Sequence, residues 1–255
     1  MAFTDRTYSS RYTSQLFPQG VKWLIIVNLA VFVIYFFARV AHYDHLFFPL
    51  GLNPDDVLGK LAFWQPVTYL FLHNPGGFLH ILLNMLTLYM FGADLERDWG
   101  TRRFLKYYFV CGIGAALTVI LVHLITQSPA SWTIGASGAV YGVLLAYGVM
   151  YPDRELLFNF LFPIKAKYLV MIYGGIAFLS TFGATGDGIS HVAHLGGMLV
   201  GFFYLRSPQS GNRRTSRGSF STSIQNWITN YKRQRAKKKF EVYIRKQQDR
   251  NRYMQ

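Results

Sequence analysis

The sequence predicts an all-α polytopic membrane protein with six transmembrane helices. Three observations carry that prediction. Of 255 residues, 51% are hydrophobic and only 15% charged, where soluble domains average about 25% charged residues. The apolar residues gather into blocks near the roughly 20 that a helix needs to cross a hydrocarbon core of about 30 Å. The cations, finally, fall in alternate connections between those blocks.

Residues 21–41 form the first predicted span. Residues 42–68 carry Asp44, Asp55 and Asp56 among aromatics and prolines, too polar to span and too apolar to be freely solvated, so they are expected in the interface. The second span covers 78–91 and could begin as early as Tyr69; Asn74-Pro75-Gly76-Gly77 on its approach is a strong helix breaker. The third covers 104–126. An uncharged loop, 127–136, leads to an apolar helix over 137–150 that stops at Pro152. Fourteen residues rise about 21 Å, too short for a full crossing. The polar start of that helix must therefore lie below the membrane surface, where irregular backbone survives only inside protein or along a wet cavity. The fifth and sixth spans cover 167–182 and 191–205.

Arg6, Arg11 and Lys22 precede the first span. Arg97, Arg102, Arg103 and Lys106 lie between the second and third, and Arg154, Lys165 and Lys167 between the fourth and fifth. The opposite connections hold Arg39 and Lys60, and no cation at all in 127–136 or 183–190. The positive-inside rule then puts both termini in the cytoplasm. A bacterial inner membrane is the expected location, with an organelle membrane left open. The first 20 residues lack the pattern of a cleaved leader, so the first apolar block is expected to remain as a span.

The formal charge of +14 is not spread over the body. Residues 207–255 hold 13 Lys and Arg against Glu241 and Asp249, so eleven of the fourteen net charges sit there. No basic groove with interleaved aromatics crosses the rest, and nucleic acid is not an expected partner. The chain divides into an N-terminal segment (1–20), a membrane domain (21–206) and a basic tail (207–255). In the tail, Ile224, Trp227, Ile228 and Tyr231 share one helical face and Phe240, Tyr243 and Ile244 another. An interfacial helix on anionic lipid fits this pattern, and a solvated or partner-binding tail fits nearly as well. The single cysteine, Cys111, lies in an apolar run and permits neither an internal disulfide nor a cysteine metal cluster.

Polar groups inside a membrane are costly and mark candidate functional sites. His80 and Asn84, four apart, share a face of the second span, where interhelical hydrogen bonding would account for them equally well. Ser137 stands in Gly135-Ala136-Ser137-Gly138 at a helix start, its hydroxyl opened by small neighbours and flanked by free backbone N–H groups. Ser is also a routine N-cap, and alone the motif reads as structural. His194 stands in the sixth span, where Gly197 and Gly201 form the small-xxx-small face that lets membrane helices touch. That contact would press the sixth helix onto the fourth and set an imidazole against Ser137. A hydroxyl beside an imidazole, with donors nearby, is the minimum for nucleophilic acyl transfer.

In combination these residues resemble the rhomboid family of intramembrane serine proteases over roughly residues 21–206. The resemblance rests on His80-x-x-x-Asn84, Gly135-x-Ser137-Gly138 and Ala193-His194-x-Gly196-Gly197-x-x-x-Gly201. Gly92-x-x-Leu95-Glu96-x-x-x-Gly100-x-x-Arg103-Phe104-Leu105, between the second and third spans, also carries it. It implies a six-helix bundle in which Ser137 is the nucleophile and His194 the general base, with no aspartate and no cofactor. It further implies that Tyr141 stacks on the imidazole and that His80, Asn84 and the Ser137 N–H form the oxyanion site, with Gly135 in support. Implied substrates are transmembrane proteins with helix-destabilising residues near the cut, entering past the fifth helix. One departure is visible: many members carry Trp-Arg in the first outer loop, where this chain has Trp64-Gln65-Pro66.

Two other readings of the same residues compete. A transporter or non-catalytic binder of membrane proteins would use them to line a path or grip a client helix. A metalloprotease using His191 and His194 would need a carboxylate ligand and a His-Glu-x-x-His pattern, and the sequence has neither there.

Overall fold

A computed structural model describes residues 17–127, 130, 132–158, 162–181 and 188–207. Most of the N-terminal segment, Asp187, and the basic tail beyond Ser207 lie outside the described residues. Among those described, eight α-helices and one small hairpin follow in order. They are α1 (Gln19–Val40), α2 (Pro54–Gly59), α3 (Gln65–Thr68), α4 (Phe78–Trp99), α5 (Thr101–Thr126) and α6 (Ser137–Met150), then β1 (Glu155–Phe158), β2 (Phe162–Lys165), α7 (Ala166–Thr181) and α8 (Gly188–Arg206). Among the described residues, α1, α4 and α5 are long and apolar enough to cross a membrane, and α6 and α7 are shorter apolar helices.

Helix α6 sits at the centre and packs on α4, α5 and α7. Of its 14 residues, Gly138, Ala139, Val140, Gly142, Val143, Leu144, Ala146, Tyr147 and Gly148 are buried. A helix apolar on all sides is what such enclosure requires. Close approach comes from small residues: a Cβ at Gly142 would lie 2.5 Å from the Cys111 sulfur of α5, and one at Gly114 2.6 Å from Val200 of α8. Buried tyrosines add polar pins, Tyr107 Oη donating to the Gly142 carbonyl at 2.8 Å and Tyr69 Oη to that of Gly112 at 2.7 Å. Each is worth about 1 kcal/mol. Outward-facing Trp23, Phe37, Ile125, Met171, Leu179 and Phe203 are exposed, as the lipid face of a bundle must be.

Two expectations need correction. The second span begins at Phe78 as expected but does not stop near Phe91; α4 runs on to Trp99. The charged connection to the third span is itself helical, broken only at Gly100, whose φ of 78° reverses the chain. Arg97 therefore lies in the last turn of α4, and Arg102, Arg103 and Lys106 on α5. The cause is Glu96, 3% exposed, which accepts the N–H groups of Gly20 and Val21 at 2.7 Å each and the Thr101 hydroxyl at 2.5 Å. A buried carboxylate there satisfies donors that the first turn of α1 would otherwise leave open.

The connection between α6 and α7 is likewise not a plain loop. β1 and β2 pair antiparallel, with Leu156 opposite Ile164 and Phe158 opposite Phe162. Charged groups brace the base of this hairpin. Arg154 and Arg97 each reach Asp94 at 2.7 Å, and Tyr151 donates to Asp98. Lys167, 2.7 Å from Asp153, holds that carboxyl below the ordinary aspartate range.

At the opposite end, the segment expected in the interface folds as a 3-10 turn (Asp44–Leu50) followed by α2 and α3. Asn53 caps α2, its side chain accepting the Asp55 N–H at 2.9 Å. Leu52 and Thr133 exchange backbone hydrogen bonds at 2.9 and 2.8 Å. Trp132 Nε1 donates to the Phe48 carbonyl at 3.0 Å. The approach to α6 is thereby tied to the segment over 44–68.

Candidate active site

Ser137 opens α6, and the chain reaches it through Gly135, whose φ is 122° and whose N–H donates to the Tyr69 carbonyl at 2.9 Å. A side chain would be strained at that φ, and a Cβ would stand 3.1 Å from His80 Cε1. Gly135 is therefore what allows the approach to α6 to pass against the His80 ring.

His194 comes from α8. A Cβ on Gly138 would lie 2.6 Å from Ala115 Cβ and 3.3 Å from the Ala193 carbonyl oxygen, and one on Gly197 would collide with the Gly138 carbonyl oxygen. With both positions bare, α8 lies directly on α6, and His194 Nε2 stands 2.8 Å from Ser137 Oγ. Gly201 does not share that contact. It faces α5, where a Cβ would meet Tyr107 Oη at 2.5 Å and the Cys111 sulfur at 3.0 Å.

One turn along α6, the Tyr141 ring lies flat on the His194 imidazole, with centroids 4.1 Å apart and planes within 2°. His194 Nδ1 is buried and has no hydrogen-bond partner among the described residues. The imidazole is thus oriented by the aromatic face and by the serine, with no carboxylate bonded to Nδ1 among the described residues. An imidazole protonated on Nδ1 would leave Nε2 able to accept a proton from the hydroxyl, and a positive charge on the ring would meet a π face.

A cavity of about 350 Å³ opens in front of this pair, bounded by α4, α6, α7 and α8. His80, Asn84, Ser137, Tyr141 and His194 all line it. Asn84 Nδ2 donates to the His80 carbonyl at 2.9 Å, which leaves one amide hydrogen for the cavity. Leu169 and Tyr173 of α7 form an apolar wall, and Leu156 of β1 also lines the space. These last three were not read from the sequence; α7 carried only a composition signal, and the hairpin none.

His191 lies inside α8, its ring 5.8 Å from that of His194 and nearly perpendicular. Among the described residues no group of three or more metal-ligating side chains is close enough to hold a metal ion. Gln65, where an arginine was expected from the resemblance, is buried. Its Oε1 accepts the Asn53 N–H at 2.8 Å and its Nε2 reaches the Pro49 carbonyl at 3.3 Å. Trp64 Nε1 donates to the same carbonyl at 2.8 Å. In this chain the pair acts as a staple within the segment over 44–68.

The fold and this geometry define an apolar helical bundle with a serine–histidine contact beside an internal cavity. The Rhomboid domain model matches residues 60–207, more than half of the sequence. The chain belongs to the rhomboid family and is an integral membrane protein. It is 32% identical over 196 residues to RHOMBOID-like protein 1 of Arabidopsis thaliana, covering 70% of this chain and 47% of that one. It is 30% identical over 155 residues to Rhomboid protease GluP of Bacillus subtilis, covering 60% and 27%. To Rhomboid-like protease 3 of Toxoplasma gondii it is 27% identical over 205 residues, covering 77% and 73%. The alignments to RHOMBOID-like proteins 5, 1 and 4 of Arabidopsis thaliana span less than half of each relative, 46%, 47% and 41%.

Proposed function

We propose that the chain is an intramembrane serine endopeptidase that hydrolyses peptide bonds in or beside the transmembrane segments of other membrane proteins. The observation that carries this is the 2.8 Å contact between Ser137 Oγ and His194 Nε2, made across two helices at a cavity inside the bundle. Relatives in Bacillus subtilis and Toxoplasma gondii, both named as proteases, support it.

Ser137 Oγ attacks the scissile carbonyl carbon as His194 Nε2 takes the hydroxyl proton. The carbonyl oxygen becomes an oxyanion that receives hydrogen bonds from His80, the free amide hydrogen of Asn84 and the Ser137 N–H at the start of α6. Removing one such donor costs about 3–4 kcal/mol of transition-state stabilisation. His194 then returns its proton to the leaving amine as the C–N bond breaks. Water, deprotonated by His194, releases the acyl group from Ser137. An intact substrate helix keeps its carbonyls in hydrogen bonds, so the segment must unwind first. This favours helix-destabilising residues near the cut and entry past the apolar wall of α7.

In this reading α1, α4, α5, α6, α7 and α8 are the six spans of a membrane domain over 21–206. Both termini are cytoplasmic, in a bacterial inner membrane, and the basic end of the bundle faces inward. The tail over 207–255 takes anionic lipid. The testing experiment incubates detergent-purified protein with a panel of transmembrane peptides and reads products by mass spectrometry. Wild type is expected to produce new termini, and Ser137→Ala none. Equal cleavage by Ser137→Ala would remove the proposal, and client retention without new termini would favour the binder.

A further inference from the structure

We infer that His73 is a positioning residue for His80, selecting which ring nitrogen of His80 carries the proton. The inference rests on the proposed reading of His80 as an oxyanion donor.

His73 follows the 3-10 turn Tyr69–Phe71 and precedes the Asn74-Pro75-Gly76-Gly77 breaker. Its side chain is 0% exposed, and neither ring nitrogen has a hydrogen-bond partner among the described residues. Its ring lies 5.3 Å from that of His80, tilted by 57°. His80 itself is open to the cavity. A polar ring closed from solvent thus stands directly behind a polar ring that faces the site.

Burying two unpaired nitrogens is unfavourable, and an apolar ring would fill the same space without that penalty. No direct hydrogen bond joins the two rings, and at this centroid separation one bridging water reaches both, which gives His73 a partner. The consequence falls on His80. A neutral imidazole has one N–H, and the bond made by one nitrogen decides whether the other donates. Where that water donates to the rear nitrogen of His80, the cavity-side nitrogen must hold the proton and can donate to an oxyanion. The surroundings keep this geometry fixed. Gly135 closes on His80 Cε1, and Asn84 holds the His80 carbonyl. Asn74 Oδ1 accepts the Gly76 N–H at 2.9 Å and Arg39 Nη1 at 3.4 Å, which braces the turn that carries His73.

The test combines a spectrum with kinetics on the full chain in micelles. Protein labelled with ¹⁵N-histidine gives ring-nitrogen shifts, and His80→Ala identifies which belong to His80. We expect one tautomer of His80 in wild type and a mixture in His73→Phe. Cleavage of a transmembrane peptide should show kcat lowered about tenfold in His73→Phe with KM unchanged, less than the 10²–10³ of losing a donor outright. Adding His73→Phe to His80→Ala should cost nothing further. His73→Gln, which keeps a donor amide, should retain the single tautomer and most of kcat. An unchanged His80 tautomer in His73→Phe, or in His73→Leu if the phenylalanine variant does not fold, would overturn the inference, as would effects of His73 and His80 that multiply independently. Failure of wild type to cleave any peptide would count against the proposed protease, while the tautomer spectra would still decide the role of His73.

Discussion

A methyl group on Gly197 of α8 would run into the carbonyl oxygen of Gly138 on α6. That absence of side chains is what sets His194 against Ser137, because any thicker residue holds the two helices apart. Gly197→Ala is expected to lower peptide cleavage by more than 100-fold and to destabilise the fold by about 1–3 kcal/mol through overpacking. Gly175 of α7 is the control, since a Cβ added there would meet nothing within 4 Å. Gly175→Ala should leave cleavage and thermal unfolding in micelles unchanged.

Gly135 unites two constraints, a φ of 122° and the 3.1 Å approach to His80. Gly135→Ala strains the backbone and displaces His80 from the cavity rim. The expected outcome is loss of cleavage with a modest fall in stability, on the order of 1–3 kcal/mol. Cleavage rate and thermal midpoint, measured together, separate the two effects.

Glu96 serves the fold rather than the cavity. It holds Gly20, Val21 and Thr101 at the basic end. Each of the three hydrogen bonds contributes about 1–1.5 kcal/mol net, and their loss together should cost on the order of 3–5 kcal/mol in Glu96→Ala. Glu96→Gln keeps one acceptor oxygen and should lose less. Thermal unfolding reads both.

Tyr141 lies flat on His194, so the ring matters more than the hydroxyl. Tyr141→Phe should cleave within about threefold of wild type. Tyr141→Leu removes a stacking and cation–π contribution of about 0.5–1.5 kcal/mol and should slow cleavage up to about tenfold, with KM little changed.

The sequence was most informative where membrane physics leaves few choices. Apolar block lengths marked all six long helices, and the small residues around Ser137 marked the start of α6 at its observed position. It was least informative where a local signal had two solutions. The acids and cations after Phe91 read as a loop because their partners, the N–H groups of Gly20 and Val21, lie more than 70 residues away. The run between Glu155 and Lys165 is apolar on both sides of Asn159, so its strand alternation was invisible. Within the site, Ser137, His194, His80 and Asn84 could be named because each is a polar residue in an apolar setting, whereas Tyr141 followed only from the resemblance. His73 lies before a turn signal with no periodicity, and only the fold sets its ring behind His80. Gln65 looked like a lost arginine until its two backbone partners were visible.

The central claim is that His194 activates Ser137 as a nucleophile. Its most direct measurement is covalent labelling of the full chain in micelles with a fluorophosphonate, the modified residue being located by mass spectrometry. The account predicts one adduct, on Ser137, formed by wild type and reduced at least 100-fold in His194→Ala with the fold intact. Cleavage of transmembrane peptides without any adduct on Ser137, or equal labelling in wild type and His194→Ala, would contradict it.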